Sequence, residues 1–438
     1  MASIPQPAGT GELVRGVRRW DLVALMINCI IGAGIFGLPS QIYFLTGAYS
    51  LFAFAACALV MAVMAICYAE VSSRFTATGG PYLYAREAFG PLVGFQVGWI
   101  AWLARFGTMA FVSNVFVSYL GFFWPAVNET GWRVAVISLI FVTLATVNVL
   151  GVTHAARLSD FLSVAKVAPM VLFIATGLFF INPHSYSFAA PPALGPFSLA
   201  ISQLFFAFSG VDLGTIATGE ARDPRRNMPF AILTALGIVV VLYILIQVVC
   251  IGTLPNLASS QKPLADASVL FLGPAGASII TAGVLVSAAG NMSAGLLGGS
   301  RLPFAMAQNS EVPPIFGWIH PRFHTPWVGI VATAGAALAL ACTGTFRYTL
   351  ALASISKLIT FAVSCATLPV LRRRPGAPPA VVRAPAGIAL SAAAVLLSAW
   401  LIANSGWPVF RDVCLVAALG FVIYFSCKLR RQRTPASD

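Results

Sequence analysis

The sequence predicts an all-α polytopic membrane protein with twelve transmembrane helices, because of its composition and the lengths of its apolar runs. Of its 438 residues, 59% are hydrophobic and 9% are charged, and the mean hydropathy is +0.88. Such a composition leaves too little polar surface to cover a soluble globule. One uncharged run, 22–69, is long enough for two spans, since a single span needs about 20 apolar residues.

The predicted spans follow one another with short connecting loops. We place them at 22–45, 48–70, 92–124, 132–152, 160–182, 197–218, 229–253, 269–300, 326–344, 348–370, 384–403 and 408–427. A basic, proline-rich loop at 372–383 separates the first ten spans from the last two. We therefore expect no soluble domain, and only short cytoplasmic tails at 1–20 and 428–438.

We attribute the formal net charge of +13 to the way the chain is oriented in the membrane. If both termini are cytoplasmic, the Lys and Arg residues left outside are Arg133, Lys262, Arg347 and Arg411. Most of the others then lie in cytoplasmic tails and loops, as the positive-inside rule requires. The charge therefore predicts a multi-pass protein of the cell inner (plasma) membrane that contacts anionic lipid headgroups, with no nucleic-acid partner.

Two of the predicted spans are interrupted at their centres by residues that weaken helices. Segment 30–39 of the first span (IIGAGIFGLP) contains three glycines and a proline, and segment 205–214 of the sixth (FFAFSGVDLG) contains two glycines. An unpaired backbone group in hydrocarbon costs several kcal/mol, so such a break persists only beside a cavity or a ligand. Paired breaks predict the substrate site of a secondary transporter. The competing interpretation is that the glycines only permit close helix packing.

The positions of the breaks also predict the domain organisation. The two breaks occupy equivalent places if 21–182 and 197–371 form inverted repeats of five spans each, followed by a final pair of helices within 384–427. A break in the first span frees backbone N–H groups at the start of its outer half-helix. These donors, with the positive end of the helix dipole, suit a carboxylate.

We place four ionisable residues inside the predicted spans, and such residues normally face the interior with a partner. Lys166 is either a proton carrier or a permanently charged tether between spans. Arg105 either binds an acidic group of the substrate or forms a fixed ion pair with Asp212, which could instead recognise a cationic substrate. Lys357 either lies at a pocket wall or, as we favour, extends its ammonium to the membrane surface.

Four short motifs stand in order along nearly the whole chain. They are 31–36 (IGAGIF), 79–82 (GGPY) with 89–91 (FGP), 206–212 (FAFSGVD) with 221–229 (ARDPRRNMP), and 300–307 (SRLPFAMA) with 320–323 (HPRF). Together they resemble the amino acid permeases of the amino acid–polyamine–organocation (APC) superfamily. The resemblance implies a leucine-transporter-type fold with broken helices 1 and 6, and secondary active transport of amino acids by alternating access.

The resemblance further implies that backbone groups at the two breaks bind an amino acid. The substrate-binding residues that it implies are Ile30, Gly32, Ala33, Gly34, Arg105, Phe206, Ala207, Ser209 and Gly210. The N–H groups of Ala33 and Gly34 would donate hydrogen bonds to the α-carboxylate. Carbonyls at both breaks would accept hydrogen bonds from the α-ammonium, and Phe206 would occlude the substrate. Many relatives carry a serine where Ala33 stands, so that hydroxyl contact is absent here.

Lys166 matches a fifth-span lysine that some members of the superfamily hold in place of a sodium ion. The resemblance therefore implies a sodium-independent symporter or antiporter in which protons are the expected coupling partner. An acidic side chain among the substrates would make Arg105 a substrate ligand.

Other function classes fit the sequence less well. The predicted spans offer no nucleophile–base pair, metal-ligand spacing or cofactor motif, so we expect no catalytic residues, no metal and no cofactor. No ring of like charges or repeated filter motif indicates a channel. The alternative that stays open within transport is a non-amino-acid organic ion, such as a polyamine or a carboxylate. No partner subunit is indicated.

Overall fold

The structure, a computed structural model, describes residues 18–32, 34–76, 80–150, 167–188, 190–215 and 221–433. Almost all of these residues lie in helices joined by short turns. The α-helices are α1 (Arg19–Ile30), α2 (Gly34–Thr46), α3 (Ser50–Ser72), α4 (Gly80–Phe89), α5 (Pro91–Leu120), α6 (Thr130–Leu150), α7 (Val167–Gly177), α8 (Leu194–Phe208), α9 (Val211–Gly214), α10 (Pro224–Thr253), α11 (Pro263–Gln308), α12 (Trp327–Thr343), α13 (Phe346–Arg373), α14 (Gly387–Ala403) and α15 (Trp407–Arg433).

Each predicted span overlaps one of these helices or a consecutive pair of them. Within the described ranges, 8 helical stretches are long and apolar enough to cross a membrane, from Gly34–Ser72 to Trp407–Leu429. Shorter apolar helices lie at Val167–Phe180, Trp327–Thr343 and Gly387–Ala403. The prediction of an all-helical polytopic membrane protein is confirmed, whereas the twelve crossings and the inverted repeat stay predictions.

The helix α11 is longer than the eighth span that the sequence predicted at 269–300. It begins at Pro263 and changes direction at Gly273, whose φ is 68° and whose successor is Pro274. Glycine adopts a positive φ without the steric penalty that a Cβ would bring. A short segment therefore precedes the longer part of α11 at an angle to it.

The helix α5 lies at the centre of the bundle, where it packs against α11, α12 and α13. In its most apolar stretch 83% of the residues are buried, whereas in that of α15 only 17% of the residues are buried. Close approach to α13 depends on Gly107, because a Cβ added there would lie 3.0 Å from the backbone nitrogen of Ala353. Side chains on α5 consequently face protein on most sides, while Leu419 and Val422 of α15 face outward, as lipid-facing residues do.

A buried carboxylate, Glu70, ties the end of α3 to the end of α13 and the segment that follows it. Glu70 is fully buried and accepts from Arg74 Nη2 at 3.0 Å, from Arg372 Nη2 at 2.6 Å and from the Ala384 N–H at 2.8 Å. Counting Asp212 as the one acidic residue inside a span was therefore wrong. Glu70 is the last residue of the predicted second span, and while Arg74 is four positions away, Arg372 and Ala384 lie some 300 positions away, where a local sequence pattern gives no information.

A second polar cluster joins α4 to the turn after α11. Arg86 Nη1 donates to Glu311 Oε1 and to the Tyr82 hydroxyl oxygen, both at 2.6 Å, and the Tyr82 hydroxyl donates to Glu311 Oε2 at 3.0 Å. Burial raises the pKa of Glu311 although the adjacent guanidinium opposes the change. The cluster therefore fixes the loop helix α4 against the end of the longest helix.

Candidate functional site

The first helix break lies between α1 and α2. The regular helix ends at Ile30, and the Ile31 N–H donates to the Ile27 carbonyl at 2.7 Å while the Gly32 N–H donates to the Ile30 carbonyl at 2.8 Å. A new helix begins at Gly34, and its first N–H groups have no acceptor within that helix. Ala33, predicted to bind substrate, lies outside the described residues. The break therefore presents backbone donors at the start of an enclosed 13-residue helix.

The second break lies between α8 and α9, at Ser209 and Gly210. The Ser209 hydroxyl donates to the Phe206 carbonyl at 2.9 Å, which satisfies one carbonyl at the end of α8. A Cβ added at Gly210 would lie 2.1 Å from the Cys29 carbonyl oxygen, so no side chain fits there. Similarly, a Cβ added at Gly34 would lie 3.2 Å from the Ala207 Cα. The two breaks thus meet directly, with backbone against backbone.

Tyr243 of α10 joins the two breaks. Its hydroxyl lies 3.3 Å from the Ile30 carbonyl oxygen and 3.3 Å from the Ala207 carbonyl oxygen. A single hydroxyl proton is shared between these acceptors, and the side chain is fully buried. Sequence reasoning missed this residue, for which the only signal was a tyrosine within a strongly apolar span.

A cavity of about 120 Å³ opens where the breaks meet, enclosed also by α5, α11 and α13. The predicted residues that line it are Ile30, Gly32, Gly34, Arg105, Phe206, Ala207 and Ser209. Its polar lining includes Thr108 of α5 and Asn291 of α11, which the sequence did not single out. Gly210 contacts α1 behind this lining. The structure therefore brings the described part of the predicted site together around one space.

Arg105 and Asp212 form a buried ion pair beside the cavity. Arg105 Nη2 donates to Asp212 Oδ2 at 2.8 Å, and the two side chains are 5% and 8% exposed. Arg105 Nε and Asp212 Oδ1 have no hydrogen-bond partner among the residues that the structure describes. Of the two interpretations drawn from the sequence, the ion pair is present, while the unpaired Nε keeps a donor for another group.

Lys357 of α13 also lies at the wall of the cavity, so the expectation that its ammonium reaches the membrane surface was wrong. The residue is 6% exposed, its Nζ donates to the Ser209 carbonyl at 3.0 Å, and Nζ lies 4.7 Å from the centroid of the Phe206 ring. A helix pattern alone does not show which face of α13 turns inward. The ammonium of Lys357 therefore contacts a carbonyl that the resemblance assigned to the substrate.

Three aromatic rings stand in series between this cavity and a second one. Phe111 lies 4.9 Å from the Phe206 ring and 4.7 Å from the Phe346 ring, measured between centroids. Phe206 lines the central cavity, and Phe346 lines the second, of about 460 Å³, together with Arg133 and Arg347. The rings separate the two spaces. Lys166, predicted to couple transport, lies outside the described residues.

Comparisons with known proteins give this arrangement a context. The family described as "Amino acid permease" matches residues 18–423. The chain is similar to the methylthioribose transporter of Bacillus subtilis (strain 168), with 29% identity over 83% of this chain and 82% of that protein. It is similar to the branched-chain amino acid permease BcaP of Lactococcus lactis subsp. cremoris (strain MG1363), with 31% identity over 81% and 82%. BcaP of Bacillus subtilis is 26% identical over 96% and 95%.

Proposed function

The chain belongs to the amino acid permease family, and on that premise we propose that it is a sodium-independent secondary transporter of an α-amino acid. The matched relatives are named permeases or transporters, and the chain is a transporter rather than an enzyme. The observation that carries the finer proposal is the cavity at the meeting point of two helix breaks. Such breaks at membrane depth are a substrate-site arrangement of secondary transporters.

Backbone chemistry at the cavity supports an α-amino acid as substrate. The start of α2 offers N–H donors and the positive end of a helix dipole to the α-carboxylate. Ile30, Phe206 and Ala207 at the two breaks line the same space, and backbone carbonyls at these positions are the acceptors that an α-ammonium would require. Phe206 would cover the bound substrate, with Phe111 and Phe346 behind it.

Alternating access follows from the same arrangement. We propose twelve crossings in a five-plus-five inverted repeat, with both termini on the cytoplasmic side of the cell inner membrane. The broken helices, with α3 and α10, would rock as one bundle against α5, α6, α11 and α12, which opens the cavity to each side in turn. Gly34 and Gly210, where an added Cβ would crowd the backbone of the other break, would allow the two broken helices to stay packed together as they move.

The coupling proposal rests on Lys166, a lysine inside a predicted span. Its ammonium would stand in place of a sodium ion, as a proton carrier or as a fixed tether. Either role makes transport independent of sodium, and the first makes it proton-coupled, as symport or antiport.

A second candidate substrate class is a non-amino-acid organic ion. Protein groups already engage several of the carbonyls expected to hold an α-ammonium, with Tyr243 at Ile30 and Ala207 and Lys357 at Ser209. A substrate without an amino group would leave these bonds undisturbed. One relative is named for methylthioribose, which is not an amino acid.

Counterflow in proteoliposomes distinguishes the two. Purified protein would be reconstituted in sodium-free buffer, and vesicles would be preloaded in turn with each of the twenty amino acids, putrescine, GABA and succinate. Accumulation of the matching labelled compound with one or a few α-amino acids is the expected result. Accumulation only with succinate or putrescine would refute the amino-acid assignment, and a strict requirement for external sodium would refute the coupling proposal.

A further inference from the structure

The described side chains around the central cavity carry more positive than negative charge. The cations are Arg105 and Lys357, and the one carboxylate beside them is Asp212. Asp212 Oδ2 is engaged by the guanidinium of Arg105 at 2.8 Å, so these two charges compensate each other. The ammonium of Lys357 is left as the unmatched charge in this part of the site.

The immediate surroundings of Lys357 compensate its charge only in part. Within the described residues, no carboxylate oxygen lies in salt-bridge distance of its Nζ. The contacts are a neutral acceptor, the Ser209 carbonyl at 3.0 Å, and the face of the Phe206 ring at 4.7 Å. A buried ammonium is costly without an opposing charge, and a carbonyl dipole and a ring quadrupole supply less than a carboxylate does.

The side chains beside the cavity offer several hydrogen-bond donors. Among the described residues, Arg105 Nε is a buried donor without a partner and Asp212 Oδ1 is a buried acceptor without one, while Lys357 has three N–H donors, one of which is used by the Ser209 carbonyl. Asn291 adds an amide that lies close to the first break, since its Nδ2 is 2.9 Å from where a Cβ at Gly32 would be. The Thr108 hydroxyl already donates to the Ala104 carbonyl. A ligand that complements this lining is rich in acceptors and carries negative charge.

We propose that the substrate is an acidic α-amino acid whose side-chain carboxylate is bound by Lys357. This assignment rests on the proposed function, because it places the α-carboxylate at the start of α2 and directs the side chain toward α5 and α13. The second carboxylate supplies the opposing charge that Lys357 lacks, and Arg105, whose Nε has no partner among the described residues, lines the same space. An aliphatic side chain would leave the ammonium against apolar atoms, and an amide would supply only a dipole.

Equilibrium binding to the full-length purified protein tests the assignment. Dissociation constants would be measured by titration calorimetry in sodium-free buffer at pH 7 for L-glutamate, L-aspartate, L-glutamine, L-asparagine, L-leucine and glutarate. The variants are Lys357→Met, Lys357→Arg and, as a matched control, Lys428→Met, which removes an exposed lysine of α15. Removing one partner of a buried charge pair weakens binding by about 30-fold or more.

The wild type is expected to bind an acidic amino acid about 30-fold or more tighter than its amide isostere. Lys357→Met is expected to abolish that preference through weaker binding of the acid, with binding of the amide retained as proof of folding. Lys357→Arg keeps the charge and part of the preference, and Lys428→Met changes nothing.

Two results would overturn the assignment in distinguishable ways. If L-leucine or L-glutamine binds the wild type as tightly as L-glutamate and L-aspartate, the acidic assignment is wrong while the proposed amino-acid transporter stands. If no α-amino acid binds, whether or not glutarate does, both the proposed function and the acidic assignment are wrong. Should Lys357→Met fail to fold, the wild-type preferences test the acidic substrate and Lys357→Arg tests the role of Lys357, and an unchanged preference in a folded Lys357→Met would refute that role.

Discussion

Replacing Gly210 by alanine tests the contact between the two helix breaks. Gly210 has a φ of −114° and a ψ of −4°, which an alanine also adopts, so the substitution brings no conformational strain of its own. The added Cβ would lie 2.1 Å from the Cys29 carbonyl oxygen and 2.5 Å from the Ile30 Cα. These are backbone atoms, which cannot rotate away as a flexible side chain would.

The size of the effect follows from these distances. Carbon atoms pack at about 3.5–4.0 Å, so α1 and the second break must separate by more than about 1 Å. Overpacking of an enclosed site costs about 1–3 kcal/mol, and a clash with backbone belongs at the upper end of that range. A loss of about 3 kcal/mol in the geometry that binds substrate corresponds to roughly 100-fold weaker binding.

The assay is equilibrium binding of the substrate identified by counterflow, together with the melting temperature of the purified protein. Gly237→Ala on α10 is the matched control, because nothing lies within 4 Å of a Cβ added there. The control is expected to bind normally and to be equally or more stable, since alanine favours a helix over glycine. Wild-type affinity in Gly210→Ala would refute the conclusion that the two breaks meet backbone to backbone at the substrate site.

Three further outcomes are expected. Tyr243→Phe removes the hydroxyl that joins the two breaks. Because an unmade buried hydrogen bond costs about 1–3 kcal/mol, we expect substrate binding to be weaker by about 5-fold or more. Unchanged binding would contradict a role of Tyr243 in holding the two breaks together. Glu70→Gln leaves Arg372 without its opposing charge and is expected to lower the free energy of unfolding by about 3–5 kcal/mol, seen as a large fall in melting temperature; a fall of less than 1 °C would contradict it. Because burial raises the pKa of Glu311, its contribution to stability is fully present below its ordinary pKa and is lost as the pH rises through the raised value. As the pH rises through this raised pKa, the melting temperature of the wild type should therefore fall more than that of Glu311→Gln. Melting temperatures that fall in parallel with pH for the two proteins would refute the argument.

The sequence predicted the site best where backbone geometry decides it. The breaks in segments 30–39 and 205–214 could be predicted because glycines at the centre of a membrane span disrupt a helix wherever they occur. The choice of Gly32, Gly34 and Gly210 within these segments came from the family resemblance. The structure brings these positions together and gives each a close neighbour, from Asn291 to the Cys29 carbonyl. Local composition was sufficient for the breaks because the requirement for a break is local.

Side chains whose roles depend on distant partners could not be assigned in this way. Lys357 lies in an amphipathic stretch whose inward face depends on the packing of α13 against α5. Glu70 stands at the end of a predicted span, and its partner Arg372 belongs to another helix. Tyr243 acts through carbonyls of two other helices. Their contacts follow from tertiary packing, which periodicity along one helix does not encode.

Substrate protection of Cys29 from alkylation tests the location of the site most directly. Cys29 is half-buried and lines the central cavity, whereas Cys342 is exposed at the end of α12 and far from it along the chain. Peptide mapping after treatment with a small maleimide would give both rates in one sample. We predict that the transported substrate, at saturating concentration, slows alkylation of Cys29 by 10-fold or more, in line with about 90% occupancy, and leaves Cys342 unchanged. An unchanged Cys29 rate under a substrate that is demonstrably transported would contradict a site between the two helix breaks.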